Sequence, residues 1–192
     1  MQQVVTLTTQ EEVYLYGNYF FLTGKPRVGK TTSLKKIINE IGVENFGGLY
    51  TEEIVENSNR TGFRIISLAG EKAVIADVNS KSDIRVGRYG VNVSEFEKIA
   101  IQSIQNNAKK IIVIDEIGPM QIASQTFLSI INQFMQGSQT VLGTIYYDSH
   151  PKIDEIKTNS KMKIYELTRG NYNDVLSKVI NELRQTSLFQ PK

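Results

Sequence analysis

Gly24-Lys25-Pro26-Arg27-Val28-Gly29-Lys30-Thr31 carries the spacing G-x-x-x-x-G-K-T directly after the apolar run Tyr19-Phe20-Phe21-Leu22. That spacing suits the holding of a polyphosphate. Glycines let backbone N–H groups close on the oxygens, a lysine brings a mobile cation, and the helix that follows offers its positive end. Gly24, Lys25, Pro26, Arg27, Val28, Gly29, Lys30, Thr31 and Thr32 are therefore the candidate phosphate-binding residues, with Lys30 reaching the β and γ phosphates as a catalytic cation. The Thr31 hydroxyl is a hard oxygen ligand for Mg²⁺, which prefers octahedral oxygen coordination shared with substrate phosphates. A second cluster stands where Lys110-Ile111-Ile112-Val113-Ile114 runs into Asp115-Glu116. Asp115, ending an apolar strand, would complete the metal shell with Thr31. Glu116 would accept a hydrogen bond from a water and align it with the γ phosphorus. A glycine turn and an acidic surface turn could match the same residues by chance. Their order, each at the end of an apolar run, favours the chemical reading.

Charge that develops during phosphoryl transfer also calls for a fork-shaped cation. Arg27, Arg60, Arg85, Arg88 and Arg169 are the candidates; Arg88 and Arg169 gain from lying in loops near the inferred site, and Arg88 is carried as the catalytic one.

These groups need strands to end beneath them and helices to pack behind. Leu34, Ile37, Ile38 and Ile41 recur at helical spacing after Lys30, and Gly42 stands where a helix would stop. Tyr19–Thr23 reads as the central strand, since its apolar run suits burial on both faces, and Val4, Val5 and Leu7 as a candidate edge strand. From Gly47 to Ala76 short β-favouring runs alternate with turns, the pattern of an antiparallel meander whose first strand could be shared with the main sheet. Asn79 to Tyr89 reads as a polar, basic loop. Ser94-Glu95-Phe96-Glu97 matches a capping box opening a helix with Phe96, Ile99, Ala100 and Ile104 on one face. Further helices are predicted around Phe127 to Phe134 and Val175 to Leu183, with strands at Thr140–Ile145 and Lys161–Leu167. Strands alternating with helices imply an α/β fold with a parallel sheet, and ligands in such sheets sit at the carboxyl ends of the strands. That rule lines up the phosphate loop, Asp115-Glu116, the turn after Thr144 and Thr168-Arg169-Gly170-Asn171 along one rim.

Composition narrows the choices further. The 192 residues suit one α/β domain, 19–192, preceded by an appendage at 1–18, and 40% apolar content supports a buried core. With no cysteine, disulfides and thiolate chemistry are excluded. The single histidine, His150, reads as a solvated turn residue before Pro151 and cannot build a multi-histidine metal site. A net charge of +2 without long like-charged runs gives no support for nucleic-acid binding. No stretch has the length of a membrane span or the charge order of a signal peptide, so a cytoplasmic location is expected. A monomer is the expected state, although no residue pattern fixes it.

GKPRVGKTT at Gly24 to Thr32, GGLYTEEIVENSNRTGFRIISL at Gly47 to Leu68, RVGRYGVNV at Arg85 to Val93 and VIDEIGPM at Val113 to Met120 together resemble the small P-loop nucleoside-triphosphatase family, of THEP type, found in archaea, thermophilic bacteria and animals. The resemblance covers Phe20 to about Leu183. It implies a P-loop NTPase of RecA-like architecture, a parallel sheet flanked by helices with a small antiparallel β elaboration. It further implies slow, Mg²⁺-dependent hydrolysis of ATP, GTP and other nucleoside triphosphates with loose base selectivity. Carried over by position, Gly29, Lys30 and Thr31 bind phosphate, Thr31 and Asp115 bind the metal and Glu116 activates water. Thr51, Glu52, Glu53, Arg88 and Tyr89 inherit a place near the site. The chain departs from the family pattern where Arg27 replaces a glycine, where a closing Asn-Arg-Asp becomes Asn171-Tyr172-Asn173-Asp174, and in its longer extension before Tyr19. Two rival activities share these motifs: a nucleotide or nucleoside kinase, and a nucleotide-dependent switch acting on RNA or a protein partner.

Overall fold

The computed structural model describes residues 19–105, 109–186 and 188–189. The candidate edge strand at Val4, Val5 and Leu7, with the rest of the appendage, lies outside them. The strands are β1 (Tyr19–Thr23), β2 (Phe46–Glu56), β3 (Asn59–Ser67), β4 (Lys72–Asp77), β5 (Arg85–Val86), β6 (Tyr89–Val91), β7 (Ile111–Ile117), β8 (Thr140–Ile145) and β9 (Met162–Glu166). They form one nine-stranded sheet in the order β5-β6-β4-β3-β2-β7-β8-β1-β9. From β2 to β9 every neighbouring pair is parallel, and from β2 to β5 every pair is antiparallel. This is the predicted α/β sheet with its β elaboration, and β2 is the strand both parts share.

The helices are α1 (Lys30–Ile41), α2 (Val93–Gln105), α3 (Gln125–Gln136), α4 (Pro151–Lys157) and α5 (Tyr172–Arg184). Strand alternation sorts the core into two layers. Tyr19 and Phe21 of β1 pack with Ile112 and Ile114 of β7 under α2 and α3. Phe20 and Leu22 pack with Ile111 and Val113 under α1 and α5. A period of two with both faces apolar is what burial on both sides of a parallel sheet demands. A smaller cluster, Ala76, Tyr89 and Val91 with Phe63, Val86 and Met120 against it, stabilises the elaboration.

Four sequence expectations are corrected. β1 is buried on both faces, yet it sits next to the edge strand β9 and not at the centre of the sheet. Within the predicted loop Asn79–Tyr89, β5 and β6 begin a hairpin pairing Val86 with Tyr89, with Gly87 at φ 56° in the turn. Asn92, not Ser94, caps α2: its side chain accepts from the Glu95 N–H, while Glu97 accepts a hydrogen bond from Ser124. His150 precedes the first turn of α4, and its ring nitrogen Nδ1 is buried and has no hydrogen-bond partner.

One feature of β2 positions the site. Its register with β7 ends at Tyr50 opposite Asp115, whereas its pairing with β3 continues to Glu56. The second half of β2 is thus an arm that reaches past the end of β7, carrying Thr51, Glu52 and Glu53 beside the rim.

Candidate active site

The phosphate loop is shaped by close approach. Gly24 has φ 147°, and a Cβ there would stand 2.5 Å from the Leu167 carbonyl oxygen, so β9's exit requires glycine. Lys25 to Val28 form a turn closed by the Val28 N–H on the Lys25 carbonyl at 3.2 Å, with Pro26 second and Arg27 third at φ 64°. Proline second and positive φ third is the pattern of a type II turn, whose third place favours glycine. Gly29, at φ 106°, then opens α1 with no side-chain cap and no acidic residue in the first turn. The first N–H groups of α1 are therefore left for an anion.

Lys30 donates from Nζ to the Gly24 carbonyl at 2.8 Å, which holds its ammonium across the mouth of the loop. The Thr31 hydroxyl donates to Asp115 Oδ2 at 2.6 Å, and the Thr144 hydroxyl donates to Asp115 Oδ1. Asp115 is only 4% exposed. Burial pushes its carboxyl up, against the hydrogen bonds from Thr144 and Thr31 and the charge of Lys30. For Glu116, burial and then the neighbouring Asp115 charge raise the pKa to about 7, opposed by Lys30. A carboxylate that titrates near neutrality suits a group that takes up a proton and returns it.

Both clusters open into one cleft of about 660 Å³. Of the candidate phosphate-binding residues Gly24, Pro26, Arg27, Gly29, Lys30, Thr31 and Thr32 line it, whereas Lys25 and Val28 serve the turn behind. Thr51, Glu52 and Glu53 join from the β2 arm, and Tyr146, Tyr147 and Asp148 from the turn after β8. Asn171 staples the β9–α5 turn: its Oδ1 accepts from the Thr168 N–H at 2.7 Å and its Nδ2 donates to the Glu166 carbonyl at 2.9 Å. Arg27 and Arg60 are the arginines in the wall. Arg88 sits one step back, donating to the Arg60 carbonyl with its guanidinium 5.3 Å from the Tyr89 ring centre. Arg60 itself donates to Glu53 at 2.7 Å and to the Tyr89 hydroxyl at 2.9 Å.

A family model described as NTPase matches residues 19–180. Nucleoside-triphosphatase THEP1 of Thermotoga sp. (strain RQ2) is 37% identical over 165 residues, spanning 85% of this chain and 94% of the relative. The crystal structure of THEP1 from the hyperthermophile Aquifex aeolicus superimposes with a TM-score of 0.76 at 34% identity, covering 88% of this chain and 99% of that one. The solution structure of a human cancer-related nucleoside triphosphatase gives 0.74 at 30% identity, covering 88% and 98%. The chain belongs to the small P-loop nucleoside-triphosphatase family.

In this P-loop nucleoside-triphosphatase, Thr31 and Asp115 present adjacent oxygens at the base of the cleft. No group of three or more His, Cys, Asp or Glu side chains able to hold a metal occurs among the described residues. Two protein oxygens fit a small hard cation that keeps its waters and takes the rest of its shell from phosphate. Sequence reasoning missed Thr144, Phe63 and Gln121. Thr144 left a trace, a second threonine near the end of β8, whose first residue is Thr140; Gln121 and Phe63 left none, because their place in the cleft depends on how the β2 arm and β3 lie beside the end of β7. No helix among the described residues is long and apolar enough to cross a membrane.

Proposed function

We propose that this chain hydrolyses nucleoside triphosphates, ATP and GTP among them, to the diphosphate and phosphate with Mg²⁺. The observation that carries the reading is the Thr31–Asp115 hydrogen bond, which brings the phosphate loop and the acidic pair to one point. The N–H groups at the start of α1 and the Lys30 ammonium bind the β and γ phosphates and take up charge as the bridging bond breaks. Thr31 and Asp115 hold Mg²⁺, which when bound neutralises phosphate oxygens. Glu116, beside them, orients the attacking water and accepts its proton. Thr144 fixes the Asp115 carboxylate from the other side, so the ligand does not have to be ordered during the reaction. Either Arg60 or Arg88 could supply the further cation. Arg60 is favoured by its place in the cleft wall, while Arg88 acts through the Arg60 backbone.

Glu116→Gln preserves shape and removes the proton acceptor, so turnover should fall about 10²- to 10⁴-fold while binding of a fluorescent nucleotide persists. Phosphate release from ATP and GTP, with and without EDTA, measures both claims. Undiminished release by Glu116→Gln would sink the assignment.

A further inference from the structure

Two acceptor oxygens meet over Gly118, just past the end of β7. A Cβ on that glycine would stand 2.6 Å from Glu116 Oε1 and 3.1 Å from Gln121 Oε1, so both oxygens flank one point and a larger residue would wedge them apart. Both side chains line the cleft, and Gln121 is only 3% exposed. Among the described residues nothing donates between them. Glu116 feels burial and the charges of Asp115 and Lys30 but receives no hydrogen bond, and the Gln121 side chain uses its nitrogen to donate to the Thr51 hydroxyl at 3.2 Å. Two poorly solvated acceptors side by side are unfavourable unless a donor serves both, and the smallest donor with two hydrogens is water.

The backbone keeps Gln121 in that place. Its N–H and that of Ile122 both donate to the Gly118 carbonyl at 3.1 Å, folding Pro119 and Met120 into a tight turn, and a 3₁₀ turn over Gln121–Ala123 follows. The amide oxygen is thereby set beside the Glu116 carboxylate.

In-line attack asks more of a water than one hydrogen bond. A lone pair has to face the γ phosphorus, so both hydrogens have to point elsewhere, at acceptors. With Glu116 alone the water can swing about its single hydrogen bond. Lys30, the first N–H groups of α1 and the arginines are donors and cannot correct this. The carboxylates of the arm, Glu52 and Glu53, are engaged by Lys35, Arg64 and Arg60. The carbonyl oxygen of Gln121 is an acceptor without a full negative charge, so it repels the γ phosphate less than a third carboxylate would.

We propose that Gln121 is the second acceptor for the attacking water: its carbonyl oxygen and the Glu116 carboxylate each take one hydrogen and turn a lone pair to the γ phosphorus. The inference rests on the triphosphate reading above. The water oxygen bonds to the γ phosphorus as the bond from that phosphorus to the β–γ bridging oxygen breaks. The nucleoside diphosphate leaves with the bonding electron pair, and the proton passes to Glu116. Gln121 takes up no proton. Thr51, by holding the amide nitrogen, ties the β2 arm to this step.

The test uses the full chain with Mg²⁺ and ATP. Gln121→Met keeps length and volume without the carbonyl, and should lower kcat about 100-fold with the KM for ATP steady, as for a contact made only when water attacks. Gln121→Glu keeps an acceptor in place and should stay within about 10-fold of the parent chain. Fluorescent ADP with aluminium fluoride, which mimics the phosphoryl group and its in-line water, should bind Gln121→Met about 10-fold more weakly, while a fluorescent non-hydrolysable triphosphate binds it as it binds the parent. Should Gln121→Met fail to fold, Thr51→Val leaves Gln121 in place, frees its amide and should lower kcat about 10-fold at steady KM. Parental kcat in Gln121→Met, a Gln121→Glu no faster than Gln121→Met, or triphosphate affinity lost together with kcat overturns the water contact and leaves hydrolysis standing. A parent chain that releases no phosphate from any nucleoside triphosphate overturns both readings.

Discussion

The parallel block around β1 and the antiparallel arm around β2 and β3 hold their functional groups by different physics. In the block, each chemical residue sits at the end of a buried strand or the start of a helix. Asp115 is enclosed by two hydroxyl donors, and the strands beneath it are apolar on both faces. In the arm, the polar residues are held by one another at the surface: Glu52 pairs with Lys35 and Arg64, and Glu53 with Arg60. Buried geometry is stiff and costly to disturb, while exposed ion pairs are individually weak. The block is therefore suited to holding phosphate in a fixed geometry and the arm to contacts that adjust to what lies in the cleft.

That contrast can be tested by substitutions on each side. Phe20 is 1% exposed between β1 and α1, and Phe20→Ala should lower stability by about 3–5 kcal/mol in a denaturant titration. A loss as small as that for an arm residue would break the comparison. Thr144→Val removes a buried donor to Asp115 at nearly constant volume. It should cost about 1–3 kcal/mol and slow phosphate release as well, since the carboxylate loses one of its two braces.

Smaller effects sharpen the contrast. Arg27 occupies a left-handed position that costs a side chain roughly 1 kcal/mol, partly recovered because glycine loses more freedom on folding. Arg27→Gly should thus raise stability by about 0.5 kcal/mol, and a decrease would show that the side chain contributes contacts that outweigh the strain. In the arm, burial works to raise the pKa of Glu52, but hydrogen bonds from Lys35 and Arg64 prevail and hold it below its ordinary 4.5. A lowered folded-state pKa means stability is present above the unfolded value and lost as pH falls through the folded one. Glu52→Gln should therefore lose less than about 1 kcal/mol at pH 7, with the difference from the parent chain vanishing as the pH drops below 4.5. A difference that persisted in acid would assign Glu52 a role other than its ion pairs.

The two regions also differ in how legible they were. α1, with Leu34, Ile37 and Ile38 buried and Gly42 at its end, follows its helical period closely, because a helix that covers a sheet must turn one face to it. The start of α2 was misplaced by two residues, since Asn92 and Ser94 are both competent caps and only packing chose between them. The β5–β6 hairpin was hidden because its strands are too short for alternation to register. Among the arginines, chain position favoured Arg88, but the hairpin turns Arg88 toward the Arg60 backbone and leaves Arg60 in the cleft wall.

From sequence alone followed the phosphate loop, the acidic pair at the end of β7 and the layered parallel sheet. All are local patterns, in which the residue types themselves satisfy the backbone, the anion or the core. Tertiary structure decided which groups share a space: Thr144 with Asp115, Gln121 with Thr51, and Arg60 with Glu53, Tyr89 and Phe63. These pairings join residues far apart in the chain through strand register and the fold-back of the β elaboration. No local spacing encodes them, because the free energy that selects them is the packing of the whole sheet.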